Sequence, residues 1–375
     1  MRYPKLQSAV QLNSYDRKGT MTERIDQLQG WVVAQLNHIH PEASLTLPSL
    51  QRCWSVVSGD ASFRRYFRVA VDFSADTSVD NTASDTTYIV MDSPAEDGSL
   101  PAFIAIAEQL RSTGLRAPII YSSDSVNGFL LLEDFGDNLI KAKLDPQIDT
   151  GVVDTEIGQD LFDQILPVLA TMAATCPTET LPEYSEQLLR DELGLFDEWY
   201  VSRHLQQTFS AQDQSLWKDL CQQLVDSARS QTQVFVHRDF HSCNLLSIAG
   251  TEDPLGIIDF QDAALGPLCY DLASWLWDRY VTWPRADLER WMLQARNVLA
   301  PADSDMAWIR QCDWIGLQRN LKVIGIFARL HYRDGKSNYL TMIPQFGRYV
   351  VQVSKLYPEL QAHSEMLQRY IDIDQ

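Results

Sequence analysis

Residues 234–262, VFVHRDFHSCNLLSIAGTEDPLGIIDFQD, restrict what this chain can fold into more than any other stretch. A short β-branched and aromatic run, VFV at 234–236, leads into the polar loop HRDFHSCN. The apolar pair Leu245 and Leu246, a turn containing Gly250 and Pro254, and a second apolar run at 256–258 then lead to Asp259. Two strands joined by that turn bring Asp239, Asn244 and Asp259 to neighbouring strand ends. The second half of the chain is therefore expected to gather an acid, an amide and a second acid at one place.

That trio suits one kind of chemistry. Transfer of a γ-phosphoryl group needs a metal to hold phosphate oxygens and a carboxylate that orients the attacking hydroxyl and accepts its proton. Asp239 suits the second task. Asn244, five positions on, and Asp259, twenty positions on, suit a hard cation such as Mg2+, which takes oxygen ligands and retains waters. His237 and Arg238 brace the loop. An H-R-D tripeptide alone has a bland explanation in chance, and I-I-D-F alone in a buried strand that ends at a turn. In this order, separated by a hairpin, they resemble the catalytic and metal-binding segments of protein kinase-like enzymes. Asp262 could ligate beside Asp259, but three residues on it serves better as the cap of the next turn. His241 and Cys243 are not needed by the chemistry, a free cysteine being usually a small buried hydrophobe.

Composition agrees and narrows the partners. The 375 residues are 45% hydrophobic, enough to bury a core, and 31 basic against 50 acidic residues give a net charge of −19. Such a charge argues against a nucleic-acid backbone or an anionic membrane as the main partner, while ATP remains compatible through Mg2+ and local cations. The six cysteines are dispersed without a C-x-x-C pair, so free thiols in a reducing cytoplasm are expected. No apolar stretch is long enough for a membrane span, and the N-terminus lacks a signal-peptide pattern.

Residues 1–20 are polar and patternless, and a disordered tail is expected there. Ile25, Leu28, Val32 and Leu36 then recur at helical spacing. The period changes at Trp54. Residues 54–57 read as a strand, Ser58 to Ser62 as a tight turn, 63–71 as a second strand with Phe63, Arg65, Phe67, Val69 and Val71 on one face, 72–87 as an exposed mobile loop, and 88–91 as a third strand. Pro101 opens a helix stopped near Gly114, with Glu108 its one mid-helix acid. Strands at 119–121 and 129–132 precede Glu133-Asp134-Phe135-Gly136, where linker backbone would lie beside an adenine. Helical patterning follows at 157–175, 185–205, 271–277 (with Asp271 as N-cap) and 312–331, an amphipathic segment. The expected fold class is α+β with two lobes: a β-rich nucleotide-binding lobe over 21–132, a hinge at 133–137, and a helical lobe over 138–375.

With these blocks in view, the chain resembles the aminoglycoside phosphotransferase family, the small-molecule branch of the protein kinase-like fold. The HRD and IDF motifs specify that wide family. Within it, SGDASFRRYFRV, YIVMDSP, LLLEDFG, RDELGLFDEWYV, GIIDFQDAALGPLCYDLASWLWD and QRNLKVIGIFARLHYRDGK are similar to anomeric sugar kinases that phosphorylate N-acetylmuramate and N-acetylglucosamine in cell-wall recycling. The resemblance implies Asp239 as catalytic base, Asn244 and Asp259 as Mg2+ ligands, and ATP as donor. Nucleotide contacts are expected from Ser58, Gly59, Ala61, Ser62, Glu108, Glu133 and Phe135.

One departure matters. Kinase-like folds usually place a lysine for the α- and β-phosphates on the third strand, and here Met91 stands there. Arg65 is the first candidate to supply the missing charge, being on an apolar face where a cation needs a partner, and Arg68 the second; solvent-facing positions are the plain alternative. Glu192, with Phe196 and Trp199 beyond it, could wall a sugar, although such spacing usually marks a core helix with the Glu exposed. Arg319, Lys322, Arg329 and Arg333 form a basic stripe, solvated by default, or else a receptor for a carboxylate such as the lactyl group of N-acetylmuramate. Three readings follow: a monomeric ATP- and Mg2+-dependent kinase of an N-acetylated sugar; a kinase of another small hydroxyl, as in aminoglycosides, choline or homoserine; or a nucleotide-binding regulator without catalysis, suggested by Met91.

Overall fold

The computed structural model describes residues 16–57, 64–71, 86–93, 100–144, 154–248 and 255–371, with backbone alone at 16–21 and 43. The chain forms two compact units, residues 1–104 with 118–134, and residues 105–117 with 135–375. Most of the expected N-terminal tail lies outside the described residues, as do the turn at 58–62 and nearly all of the loop at 72–87. The first helix, α1 (Asp16–Ile39), already begins within the stretch expected to be tail.

The first unit is a five-stranded antiparallel sheet backed by helices. After α2 (Leu47–Arg52) come β1 (Trp54–Val57), β2 (Arg65–Val71), β3 (Thr86–Asp92), β4 (Ile120–Asp124) and β5 (Phe129–Glu133), in the order β1-β2-β3-β5-β4. Alternation gives the sheet two faces. Leu28, Val32 and Leu36 of α1, the residues read at helical spacing, pack with Leu50 over Phe67, Val69, Val71, Tyr88, Val90, Phe129 and Leu131. The register Tyr66↔Met91 and Arg68↔Ile89 puts Met91 and Arg68 on the opposite face. Helix α3 (Leu100–Ser112) starts with proline in its first turn, as expected.

Helices dominate the second unit: α4 (Thr155–Thr175), α5 (Glu186–Leu195) continuing as a π-helix (Phe196–His204), α6 (Ala211–Ser230), α7 (Tyr270–Leu276), α8 (Arg285–Leu299), α9 (Asp305–Asp334), α10 (Ile343–Ser354) and α11 (Gln361–Leu367). The amphipathic segment expected at 312–331 is instead the middle of a 30-residue helix that is buried on every side from Cys312 to Lys322. Close approach is built in at Gly325: a Cβ there would lie 2.4 Å from the Leu195 carbonyl carbon, where α5 passes into the π-helix.

Two small antiparallel ladders interrupt the helices. β6 (Gln233–Val236) pairs with β9 (Ala264–Pro267), and β7 (Leu245–Ser247) with β8 (Leu255–Ile257). The second ladder is the hairpin read from the sequence; β9 is an addition, hidden by its glycine and proline. Among the described residues no helix is long and apolar enough to cross a membrane.

Candidate active site

The two small ladders bring the trio together. Asp239 follows β6, Asn244 immediately precedes β7, and Asp259 stands two residues beyond β8. Asn244 Nδ2 donates to the Asp239 carbonyl at 2.9 Å and lies 3.5 Å from Asp259 Oδ2. The Ile258 N–H donates to the Asn244 carbonyl, tying the two strand ends together. His237, fully buried, spans the same gap: its Nδ1 accepts from the Asp239 N–H at 3.3 Å, so its Nε2 is the protonated nitrogen and donates to the Ile258 carbonyl at 3.0 Å.

The loop is strained and clamped. Arg238 and Asp259 have φ of 75° and 65°, a region that costs a non-glycine residue about 1–3 kcal/mol and persists only where the surroundings hold it. At Arg238, Asp271 supplies that hold, accepting from the His237 N–H at 2.6 Å and the Arg238 N–H at 3.0 Å. Seven residues on, Asp278 accepts from the Ser242 N–H at 2.9 Å. Asp271 is thus no N-cap, as the sequence suggested. Cys269 occupies the cap of α7, and Asp271 is buried against the catalytic loop.

Beside the loop lies a buried charge network. Glu192 Oε1 pairs with Arg238 at 2.8 Å and with Lys322 at 2.9 Å, while Oε2 accepts from the Tyr184 hydroxyl and from Gln318 at 3.2 Å. Lys322 also donates to the Tyr270 hydroxyl at 3.0 Å. Glu192 is therefore not the exposed acid of a core helix, and with four donors on its carboxylate it has no acceptor left for a sugar. Lys322 is equally committed. The solvated stripe does not hold for Arg319 and Lys322, both buried. Phe196 packs into the core beside Tyr200 and Trp217, and the Trp199 ring lies beneath the Arg203 guanidinium.

These charges set the proton affinities. Burial pushes the Asp239 carboxyl up, but Lys322, then His241, Arg319 and His237, outweigh it and hold the pKa below the usual carboxylate range. Asp239 is ionised at neutral pH. Desolvation by the surrounding protein raises Asp259, and the nearby Asp239 charge adds to it although Gln261 donates to its Oδ1 at 2.9 Å. Burial lifts Asp271 to about 6 against the two N–H donors it holds.

Asn244 and Asp259 fit a hard cation. The Asn244 amide spends its N–H on the Asp239 carbonyl and keeps its oxygen, and the raised pKa of Asp259 marks a carboxylate short of positive charge. Among the described residues no group of three His, Cys, Asp or Glu side chains could hold a metal, so the remaining ligands would have to be phosphate oxygens and water.

The first unit departs from expectation at the arginines. Arg65 shares a face with its cross-strand partner Asp92, opposite to Met91, and its guanidinium is bound to that carboxylate together with Arg24 of α1. It cannot stand in for a lysine at Met91. Arg68 is on the Met91 face but is held by both oxygens of Asp134, at 2.6 and 3.0 Å. Glu133 turns its carboxylate to the Ile119 N–H, and Glu108 is exposed on α3. Phe135, in the second unit, is buried beneath Arg116 and against Gly256 of β8.

An antiparallel sheet with its helix, followed by a helical unit whose strained H-R-D loop faces an amide and a carboxylate on a hairpin, defines a phosphotransferase of the protein kinase-like fold. The chain belongs to the phosphotransferase enzyme family, whose profile matches residues 54–309. It is 35% identical over 357 residues to the N-acetylmuramate/N-acetylglucosamine kinase of Pseudomonas putida, covering 92% of this chain and 96% of that one. The Pseudomonas aeruginosa protein of the same name is 38% identical, covering 83% and 86%, and that of Neisseria meningitidis 32%, covering 90% and 93%. Solved structures with the same fold include a Plasmodium vivax ethanolamine kinase (TM-score 0.57, 11% identity, covering 88% of this chain and 90% of that one) and a Streptococcus pneumoniae choline kinase (TM-score 0.52, 14% identity, covering 80% and 93%).

Proposed function

We propose that this protein is an ATP-dependent kinase that phosphorylates the anomeric hydroxyl of N-acetylmuramate and N-acetylglucosamine in the cytoplasm. The observation that carries the reaction is Asp239, an ionised carboxylate on the loop after β6, whose backbone is held by Asn244 and His237 at Asp239 itself and by Asp271 at Arg238. The acceptor rests on the relatives' names over nearly the full chain.

Asp239 accepts the hydroxyl proton as the phosphoryl group is transferred, and an anomeric hydroxyl, more acidic than an ordinary alcohol, suits a carboxylate of lowered pKa. Arg238, fixed by Glu192, and His237, fixed by Ile258, keep the loop that carries Asp239 in place. Asn244 and Asp259 would hold Mg2+, which when bound neutralises charge on the phosphate oxygens. Ser58, Gly59, Ala61 and Ser62 remain candidates for the phosphates, and the backbone at Glu133 and Phe135 for the adenine. Arg68 joins the phosphate candidates only by exchanging Asp134 for a nucleotide.

Cations around Asp239 disfavour a polycationic aminoglycoside as acceptor. The test is ADP release with N-acetylmuramate, N-acetylglucosamine, choline and an aminoglycoside, with the product's phosphate position read by NMR. Turnover confined to choline or the aminoglycoside removes this reading. Nucleotide binding without transfer to any acceptor returns the regulator suggested by Met91.

A further inference from the structure

Four cations line the late part of α9, and the structure separates them by what they already hold. Lys322 is spent on Glu192 and Tyr270, and Arg333 on Asp334 at the exposed end of the helix. Arg329 is half-buried and its Nε has no hydrogen-bond partner among the described residues, but it lies ten residues and so about 15 Å along the axis from Arg319. Arg319 is different. It is 5% exposed, and its one hydrogen bond among the described residues is Nη1 to the Trp277 carbonyl at 3.5 Å, the limit of what counts as one. No carboxylate among the described residues pairs with it.

Its position is fixed by its neighbours. Gln318 and Lys322 lie one turn apart on α9, and Arg319, three residues before Lys322, shares their face. Gln318 and Lys322 both reach Glu192, which reaches Arg238, the residue before Asp239. The Arg319 charge acts on Asp239 and on His241 of the same loop. A guanidinium taken out of water without a counter-ion is costly, and a planar fork of donors matches a carboxylate.

We propose that Arg319 binds the lactyl carboxylate of N-acetylmuramate, so that this one residue separates the acidic sugar from its neutral counterpart. The assignment rests on the acceptor reading above. The two sugars share the reacting hydroxyl and the N-acetyl group and differ in the acidic substituent, so any contact to that substituent must appear in one acceptor and be absent in the other. The second anion near Asp239 is the phosphoryl group in transfer, which both acceptors share.

Steady-state kinetics of the full chain with each sugar at saturating ATP decide between them. For Arg319→Met we expect KM for N-acetylmuramate to rise about 10- to 100-fold, the range of one charge-assisted pair, with N-acetylglucosamine changed less than about 2-fold. Arg329→Met should alter neither. An equal fall of kcat on both sugars assigns the guanidinium to the phosphoryl group and overturns the proposal. So does an unchanged KM for N-acetylmuramate. Where Arg319→Met fails to fold, the unsubstituted protein supplies the same test: N-acetylmuramate whose lactyl carboxylate is converted to the neutral amide should show the same rise in KM. An amide that binds as well as the acid overturns the assignment. Turnover of neither sugar by the unsubstituted protein overturns the acceptor reading and this assignment with it.

Discussion

Replacing Glu192 by glutamine is the sharpest test of what holds the catalytic loop. The shape is kept, and what changes is charge and acceptor number. The carboxylate now takes Arg238 and Lys322 on one oxygen and Tyr184 and Gln318 on the other. Glutamine offers one oxygen and turns an N–H2 toward two of those donors, leaving two buried cations facing each other. Removing one partner of a buried pair costs about 3–5 kcal/mol, most of it the stranded charge. For a unit of this size that lowers Tm by roughly 10 °C, at ~2–4 °C for each kcal/mol. Glu192 is held below its ordinary pKa: burial raises it, and Lys322, Arg238 and the Tyr184 hydroxyl more than reverse this. Its stabilisation is therefore complete above the unfolded-state pKa of about 4.3 and fades only as pH falls through the lower folded value. The advantage of the native protein over Glu192→Gln should be flat from pH 6 to 8 and shrink in acid. Thermal unfolding followed by circular dichroism measures both. Lys322→Met in the same chain removes one stranded cation, and the pair should couple by more than about 1 kcal/mol. A loss below about 1 kcal/mol for Glu192→Gln, or strict additivity with Lys322→Met, refutes the network as the anchor of Arg238.

Two further perturbations address the clamp and the hairpin. Asp271→Asn strands one of the two loop N–H groups, so kcat should fall while substrate KM changes little. The native Asp271 carboxyl, lifted to about 6 by burial, binds a proton in the folded state that the unfolded chain has lost, so its contribution to stability is greatest in acid and drops by about 3 kcal/mol as pH rises from 4 to above 6. Unfolding free energies across that window should therefore show the asparagine variant gaining on the native protein, and parallel curves would contradict the buried clamp. Gly256→Ala puts a Cβ 2.6 Å from the Phe135 ring, and denaturant unfolding should show a loss of about 1–3 kcal/mol.

What the sequence made legible follows physical periodicity. The strands of the first unit and the hairpin at β7–β8 were readable because alternation and short apolar runs report burial directly. That Asp239, Asn244 and Asp259 come together was readable because a phosphotransfer centre needs those residue types at that spacing. The failures share a cause: they depend on which partner a charged group finds across the fold. Arg65 and Asp92 sit 27 positions apart, Glu192 and Lys322 130, and neither pairing leaves a local pattern. Asp271 did leave one, an acid in the apolar run YDLASWLWD with a second acid, Asp278, just past the end of the helix. Buried acids need donors, and the nearest unsatisfied donors in such a fold are the N–H groups of a strained loop.

The chain's net charge of −19 and the cations around Asp239 are two aspects of one design. Acidic residues keep the surface soluble and repel anions at long range, where salt screens them. Inside the second unit, Lys322 and Arg319 act over short distances in a medium of lower dielectric, so they and not the net charge set the chemistry of Asp239. A carboxylate held low in pKa is always ionised at neutral pH, and for the same reason it is a weak base. It can still take a proton from a hydroxyl that becomes strongly acidic as phosphoryl transfer proceeds, and it does so most readily where that hydroxyl is acidic from the outset. The cationic surroundings that make Asp239 a poor base for an ordinary alcohol thus favour an anomeric acceptor, and among the cations acting on it Arg319 has no carboxylate within ion-pair distance among the described residues.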